Sequence, residues 1–260
     1  MSLKKAMKAV CPPVLWWMVK KIKNIVLPLA PPPPQQHQDY GEVVKHAFAK
    51  IDFPVDISLD EQKIVQSVRD AALTMTDNNR LLTTTFACKY VEQNNIDGDF
   101  VECGVWRGGN SILAASLFKA HQAKRSVYLF DTFTGMTEAH PWETVFFSGE
   151  KCGKGKCPWV PASLDDVKNS FKEWGLLNDK VVFIAGDICE TLDKNDLPAK
   201  ISVLRLDTDF YDSTKKEMEV LYPRLSIGGV LILDDLVHIQ VLKRQLMNIL
   251  ILTVTGRFYL

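Results

Sequence analysis

The chain has no excess of either charge. Its 31 lysines and arginines are balanced by 31 acids, so no basic footprint points to nucleic acid. It has no apolar run of the roughly 20 residues that a membrane-spanning helix needs. The N-terminal stretch AVCPPVLWWMV is shorter, and Pro12 and Pro13 interrupt it. No small-residue cleavage site follows cleanly, as a signal peptide would require. Cys152 and Cys157 frame CGKGKC, but no second Cys or His pair lies nearby to complete four zinc ligands; a plain loop is the favoured reading. There is no GxGxxG, which disfavours a nicotinamide dinucleotide, and no internal repeat.

The 260 residues suffice for one sizeable domain plus an appendage. Residues 1–40 form that appendage. Lysines flank Trp16 and Trp17, then APPPPQQHQ reads as a semi-rigid, solvated linker. Residues 1–27 either rest on an anionic membrane surface or pack as an amphipathic helix on the protein or a partner, and the second reading is favoured. Cys88, Cys103 and Cys189 sit in apolar or strand-like contexts. That suits reduced core thiols and a cytoplasmic chain, with peripheral membrane association and a homo-oligomer left open.

Residues 41–98 read as a helical cap, with apolar residues spaced by three and four in DEQKIVQSVRDAAL and NRLLTTTFACKYVEQNN. From residue 99 short apolar runs alternate with helices. Strands are expected at 100–105, 126–133, 180–187, 201–207 and 228–235. Helices are expected at 111–122, at 163–175 with a Ser163–Asp166 capping box, and at 213–225 with Ser213 as N-cap. Strands apolar on both faces, alternating with helices, predict an α/β fold with a mostly parallel sheet covered on both sides. The polar segment at about 134–162, with His140, Trp142 and Trp159, reads as a lid whose aromatics touch substrate or pack it down.

In such sheets ligands bind beyond the carboxyl ends of the strands. Glu102, Gly104, Asp131, Asp187, Asp207, Asp209, Asp234 and Asp235 all fall there. VECGVWRGGN is a glycine-rich strand-to-helix turn, in which Gly104 permits close backbone approach. Asp131, ending the next strand, is placed for ribose hydroxyls. An adenosine ligand without pyrophosphate fits best, with S-adenosylmethionine as the candidate. LRLDTDFYDST and GGVLILDD end two strands in four carboxylates, which repel one another unless a cation lies between them. Oxygen ligands suit magnesium, calcium or manganese.

In order, TMT (74–76), VECGVWRGGN, FDTFTGM, LRLDTDFYDST and LYPRLSIGGVLILDD resemble the macrocin O-methyltransferase family, from Thr74 to Asp235. The resemblance implies a Rossmann-like class I methyltransferase fold, S-adenosylmethionine as methyl donor, a Mg2+-dependent site and a hydroxyl of a sugar or glycosylated metabolite as acceptor. It implies that Thr74, Glu102 and Gly104 bind the cofactor, the last two at its methionine end. Asp131 would then bind ribose and Asp187 lie near adenine. Asp209, Asp234 and Asp235 would hold the metal, with Asp209 as general base and Asp207 supporting the strand turn.

After Asp235 the resemblance stops. The stretch LVHIQVLKRQLMNIL (236–250) stands where the family pattern has a glycine-containing loop and a helix like GxKKAVDEYF. Codons that can encode it, read one base earlier, admit FGAYSGAKKAIDEYF. The Met247–Asn248 junction fixes one shifted triplet as Glu. Residues 236–260 are therefore expected to be an atypical, frameshifted tail. That leaves a second function class, a methyltransferase-fold binding protein with impaired catalysis. LDTDFYDST with a later acid pair also resembles an aspartate-nucleophile phosphatase, disfavoured because one helix and one strand leave no room for its other motifs.

Overall fold

The computed structural model describes residues 51–137, 161–194 and 196–234, all within the compact unit Lys45–Leu260. The expectations for residues 1–40, for His140, Trp142 and Trp159, for the Cys152–Cys157 loop, for Asp235 and for 236–260 fall outside the described residues.

Two helices open the described chain, α1 (Leu59–Asp70) and α2 (Asn78–Gln93). Ser58 and Glu61 form a reciprocal capping box at the start of α1, and the Asp77 side chain accepts from the Arg80 N–H at the start of α2. Val65 and Val68 of α1 are fully buried, each worth about 1.5–3 kcal/mol. The alternating region then gives β1 (Asp99–Cys103), α3 (Gly109–Ala120), β2 (Val127–Asp131), α4 (Leu164–Glu173), β3 (Val181–Ala185), α5 (Ile188–Lys194), β4 (Ile201–Leu206), α6 (Tyr211–Val220) and β5 (Leu225–Leu233).

The strands form one parallel sheet in the order β3-β2-β1-β4-β5. Every residue of β4 is buried, as the two-sided apolar pattern requires. Phe100 of β1 and Val203 of β4 join a core with α1 to α4. Val101, Cys103, Leu204 and Leu206 join a second core with Met218 of α6 and Leu192 of α5. Cys88 and Cys103 are buried free thiols, and no helix among the described residues is long and apolar enough to cross a membrane.

The structure adds one helix and corrects three boundaries. Helix α5 follows β3 in a segment without a clear apolar period, started by Asp187, whose side chain accepts from the Cys189 N–H at 2.8 Å. Helix α6 begins at Tyr211, not at Ser213. The Ser213 hydroxyl donates back to the Phe210 carbonyl instead of capping. Residues Tyr222–Arg224, which contain Pro223, form a separate 3-10 turn, and β5 starts at Leu225, before the Gly228-Gly229 pair.

Candidate active site

β1 and β4 lie side by side with Glu102 opposite Arg205 in register. Both side chains therefore leave the sheet on one face, and both are 1% exposed. A charge buried this deeply must be paired. Arg205 Nη1 donates to Glu102 Oε1 at 3.0 Å and to Asp207 Oδ2 at 2.7 Å, and Nη2 donates to Asp234 Oδ1 at 2.8 Å. The Ser111 hydroxyl of α3 donates to the other Glu102 oxygen. One guanidinium thus joins carboxylates from the ends of three neighbouring strands.

Among the described residues Arg205 supplies compensating positive charge to Glu102, Asp207 and Asp234. No group of three acids, histidines or cysteines among the described residues is placed to hold a metal. The structure brings together Asp207 and Asp234, which share the Arg205 guanidinium. Asp234 Oδ2 is also 3.4 Å from Arg80 Nε of α2. Burial, then the Asp207 charge, pushes the Asp234 carboxyl up to about 6, and burial pushes Glu102 up to about 7 against the pull of Arg205. Both Asp234 oxygens face guanidinium groups, Oδ1 that of Arg205 and Oδ2 that of Arg80. Asp209 is exposed and left-handed, with φ of 63°.

The turn between Asp207 and Asp209 is gripped from the opposite face as well. The Thr208 hydroxyl donates to Glu217 Oε1 at 2.9 Å. Glu217 of α6 is fully buried, its other oxygen has no hydrogen-bond partner among the described residues, and burial pushes its carboxyl up to about 8.

At the neighbouring strand ends, Gly104 has φ of 79°, and a Cβ there would lie 1.9 Å from the Asp207 carbonyl oxygen. The glycine is thus required by the meeting of two strand ends, in addition to any ligand approach. Asp131 Oδ2 accepts from the N–H groups of Val105 and Trp106 at 2.8 and 3.1 Å, and Oδ1 from Phe133 N–H at 2.8 Å. This carboxylate shapes the β1–α3 turn. Thr74 lies beside that turn: Gly109 N–H donates to the Leu73 carbonyl, and the Thr74 hydroxyl is 2.8 Å from that of Thr76. Asp187 starts α5 at the end of β3, as described above.

The family model described as Macrocin-O-methyltransferase (TylF) matches residues 37–248, continuing past Asp235 into the stretch read as atypical. The chain is 37% identical over 169 residues to the 8-demethyl-8-(2,3-dimethoxy-alpha-L-rhamnosyl)-tetracenomycin-C 4'-O-methyltransferase of Streptomyces olivaceus, covering 63% of this chain and 62% of that one. It is 35% identical over 166 residues to the demethyldecarbamoylnovobiocin O-methyltransferase of Streptomyces niveus, covering 63% and 62%. The match thus spans less than two thirds of these relatives' length. Among solved structures the fold is similar to that of the O-methyltransferase NovP, with TM-score 0.66 and 24% identity over 78% of this chain and 94% of that one.

Proposed function

The chain belongs to the macrocin O-methyltransferase family, and from that premise we propose that it methylates a hydroxyl on the sugar of a glycosylated natural product. S-adenosylmethionine would supply the methyl group, and a divalent cation such as Mg2+, when bound, would lower the pKa of the acceptor hydroxyl. The observation that supports this reading is the cluster of acids at the carboxyl ends of β4 and β5, where Arg205 bridges Asp207 and Asp234, next to the glycine turn after β1. Ligands of open α/β sheets bind at this edge. The named substrates of the relatives, a rhamnosyl tetracenomycin and a novobiocin precursor, support a glycoside acceptor.

In this reading the cofactor lies across the ends of β1 and β2. Gly104 and the following turn face its methionine end with Glu102 beneath, and Thr74 lines the same wall. Asp131 serves ribose from the turn it already holds, and Asp187 stands toward adenine. Asp209, Asp234 and Asp235 would hold the cation, with Asp207 supporting the strand turn. Asp209 accepts the proton of the acceptor hydroxyl as that oxygen takes the methyl carbon from sulfur.

The test is transfer of labelled methyl from S-adenosylmethionine to rhamnosides, with Mg2+ and with a chelator. Mg2+-dependent labelling of the glycoside supports the reading. Cofactor binding without turnover on any glycoside would favour the binding-protein alternative that the altered stretch after Asp235 suggests.

A further inference from the structure

The chain leaves β4 through a tight turn, Thr208 to Phe210, closed by the Phe210 N–H donating to the Thr208 carbonyl at 2.7 Å. Asp209 is its apex and has a φ of 63°, the positive φ of the rare, strained form of γ-turn. Such strain persists only where the surroundings hold it. Before the turn, Asp207 is tied by its N–H to the Cys103 carbonyl at 2.9 Å and by its carboxylate to Arg205. After it, the Phe210 carbonyl accepts from the Ser213 and Thr214 hydroxyls at 2.8 and 2.9 Å. The turn itself is held by the Thr208 hydroxyl, which donates to Glu217 Oε1 of α6 at 2.9 Å. An apolar pair of the same shape would serve the fold at least as well. A fully buried carboxyl whose second oxygen has no hydrogen-bond partner among the described residues costs stability. What the polar pair adds is a fixed direction at the turn, one residue from Asp209.

We propose that Glu217 is a positioning residue for the methyl-transfer site: through the Thr208 hydroxyl it holds the strained turn that carries Asp209 at the sheet edge. The proposal rests on the reading of Asp209 as the base above. It assigns Glu217 no contact with cofactor, cation or acceptor. It also separates two properties that a purely structural contact would link: the rate of transfer depends on the Thr208–Glu217 pair, while melting temperature and the cofactor cradle beside β2 do not.

The experiment uses the full chain, labelled S-adenosylmethionine and rhamnosides. A lone substitution can leave a buried partner unsatisfied, so the double variant Thr208→Val with Glu217→Met replaces both partners by apolar groups of similar shape, which folding tolerates. It is expected to lower kcat by about 10²-fold, the loss that a small misplacement of a reacting group causes, with parental S-adenosylmethionine affinity and melting temperature. Glu217→Gln keeps an acceptor for the Thr208 hydroxyl and should stay close to parental kcat. Parental kcat in the double variant overturns the proposal. So does a parallel fall of kcat, cofactor affinity and melting temperature, or a loss as deep in Glu217→Gln. Hydrogen exchange of the Phe210 amide, bonded to the Thr208 carbonyl, reads the turn without turnover. It should quicken in the double variant, and parental protection there overturns the proposal. A parent chain that labels no glycoside, while Phe210 exchange does quicken in the double variant, overturns the methyl-transfer reading and upholds the hold of Glu217 on the turn.

Discussion

Gly104 and Asp207 meet backbone to backbone, so close that a Cβ on the glycine would sit 1.9 Å from the aspartate carbonyl oxygen. The glycine turn after β1 and the acid turn after β4 are therefore one packed unit. Gly104→Ala is expected to destabilise the chain as well as weaken cofactor binding. The left-handed backbone alone costs an alanine about 1–2 kcal/mol, and the clash adds to it. A urea midpoint equal to the parent's would show that the two turns can separate freely.

Asp209→Asn is expected to lower methyl transfer by about 10²–10⁴-fold, the range for loss of a general base, while S-adenosylmethionine affinity holds. Single-turnover labelling and equilibrium binding read the two effects separately. Unchanged turnover would remove Asp209 as base.

Asp131→Ala is expected to weaken S-adenosylmethionine by about 1.5–3 kcal/mol, the worth of a charge-assisted hydrogen bond. Asp131→Asn retains one oxygen acceptor for the Val105 and Trp106 N–H groups and should fall between. Calorimetry showing equal affinity in the alanine variant would place the adenosine elsewhere.

The buried acids set the direction of the pH response. Burial raises Glu217 to about 8 from an ordinary 4.5, opposed by the Thr208 hydroxyl and reinforced by the Asp207 charge. Glu102 and Asp234 are raised as well. The folded chain therefore holds these protons more tightly than the unfolded one. Their contribution is full below the unfolded values and is lost as pH climbs through the folded ones. Melting temperature is expected to decline between pH 5 and pH 8, and Glu217→Gln should flatten that decline. A variant with the parental slope would mean that Glu217 does not titrate in this window.

The DNA encoding residues 225–260 is expected to lack one base near codon 235, so that restoring it yields FGAYSGAKKAIDEYF after the acid pair. The restored chain should melt higher and turn over faster than the present one. An intact frame with full activity would make the present stretch genuine.

Much of the site was legible in the sequence because strand ends in a parallel sheet are marked by where apolar runs stop. Asp131, Asp187, Asp207 and Asp234 all sit at those stops. Arg205 was missed, though its signal was present: an arginine between Leu204 and Leu206 in a strand buried on both faces has to find carboxylates. That Glu102 faces Arg205 is not legible, because register between strands is not written in either strand alone. Helix α5 was missed because seven residues are too few to show a period. The start of α6 was misread because Ser213 suits a cap by residue type, while its hydroxyl is used inside the first turn.

The clasp around Arg205 also constrains how such a chain can drift. Glu102, Asp207 and Asp234 each lean on the same guanidinium, so replacing Arg205 strands three acids, and neutralising one acid shifts the balance for the rest. Removing one partner of a buried pair costs about 3–5 kcal/mol, a large share of a typical domain's 5–15 kcal/mol stability. These four positions are expected to be inherited together, and a lineage that loses one must change another within the same few steps.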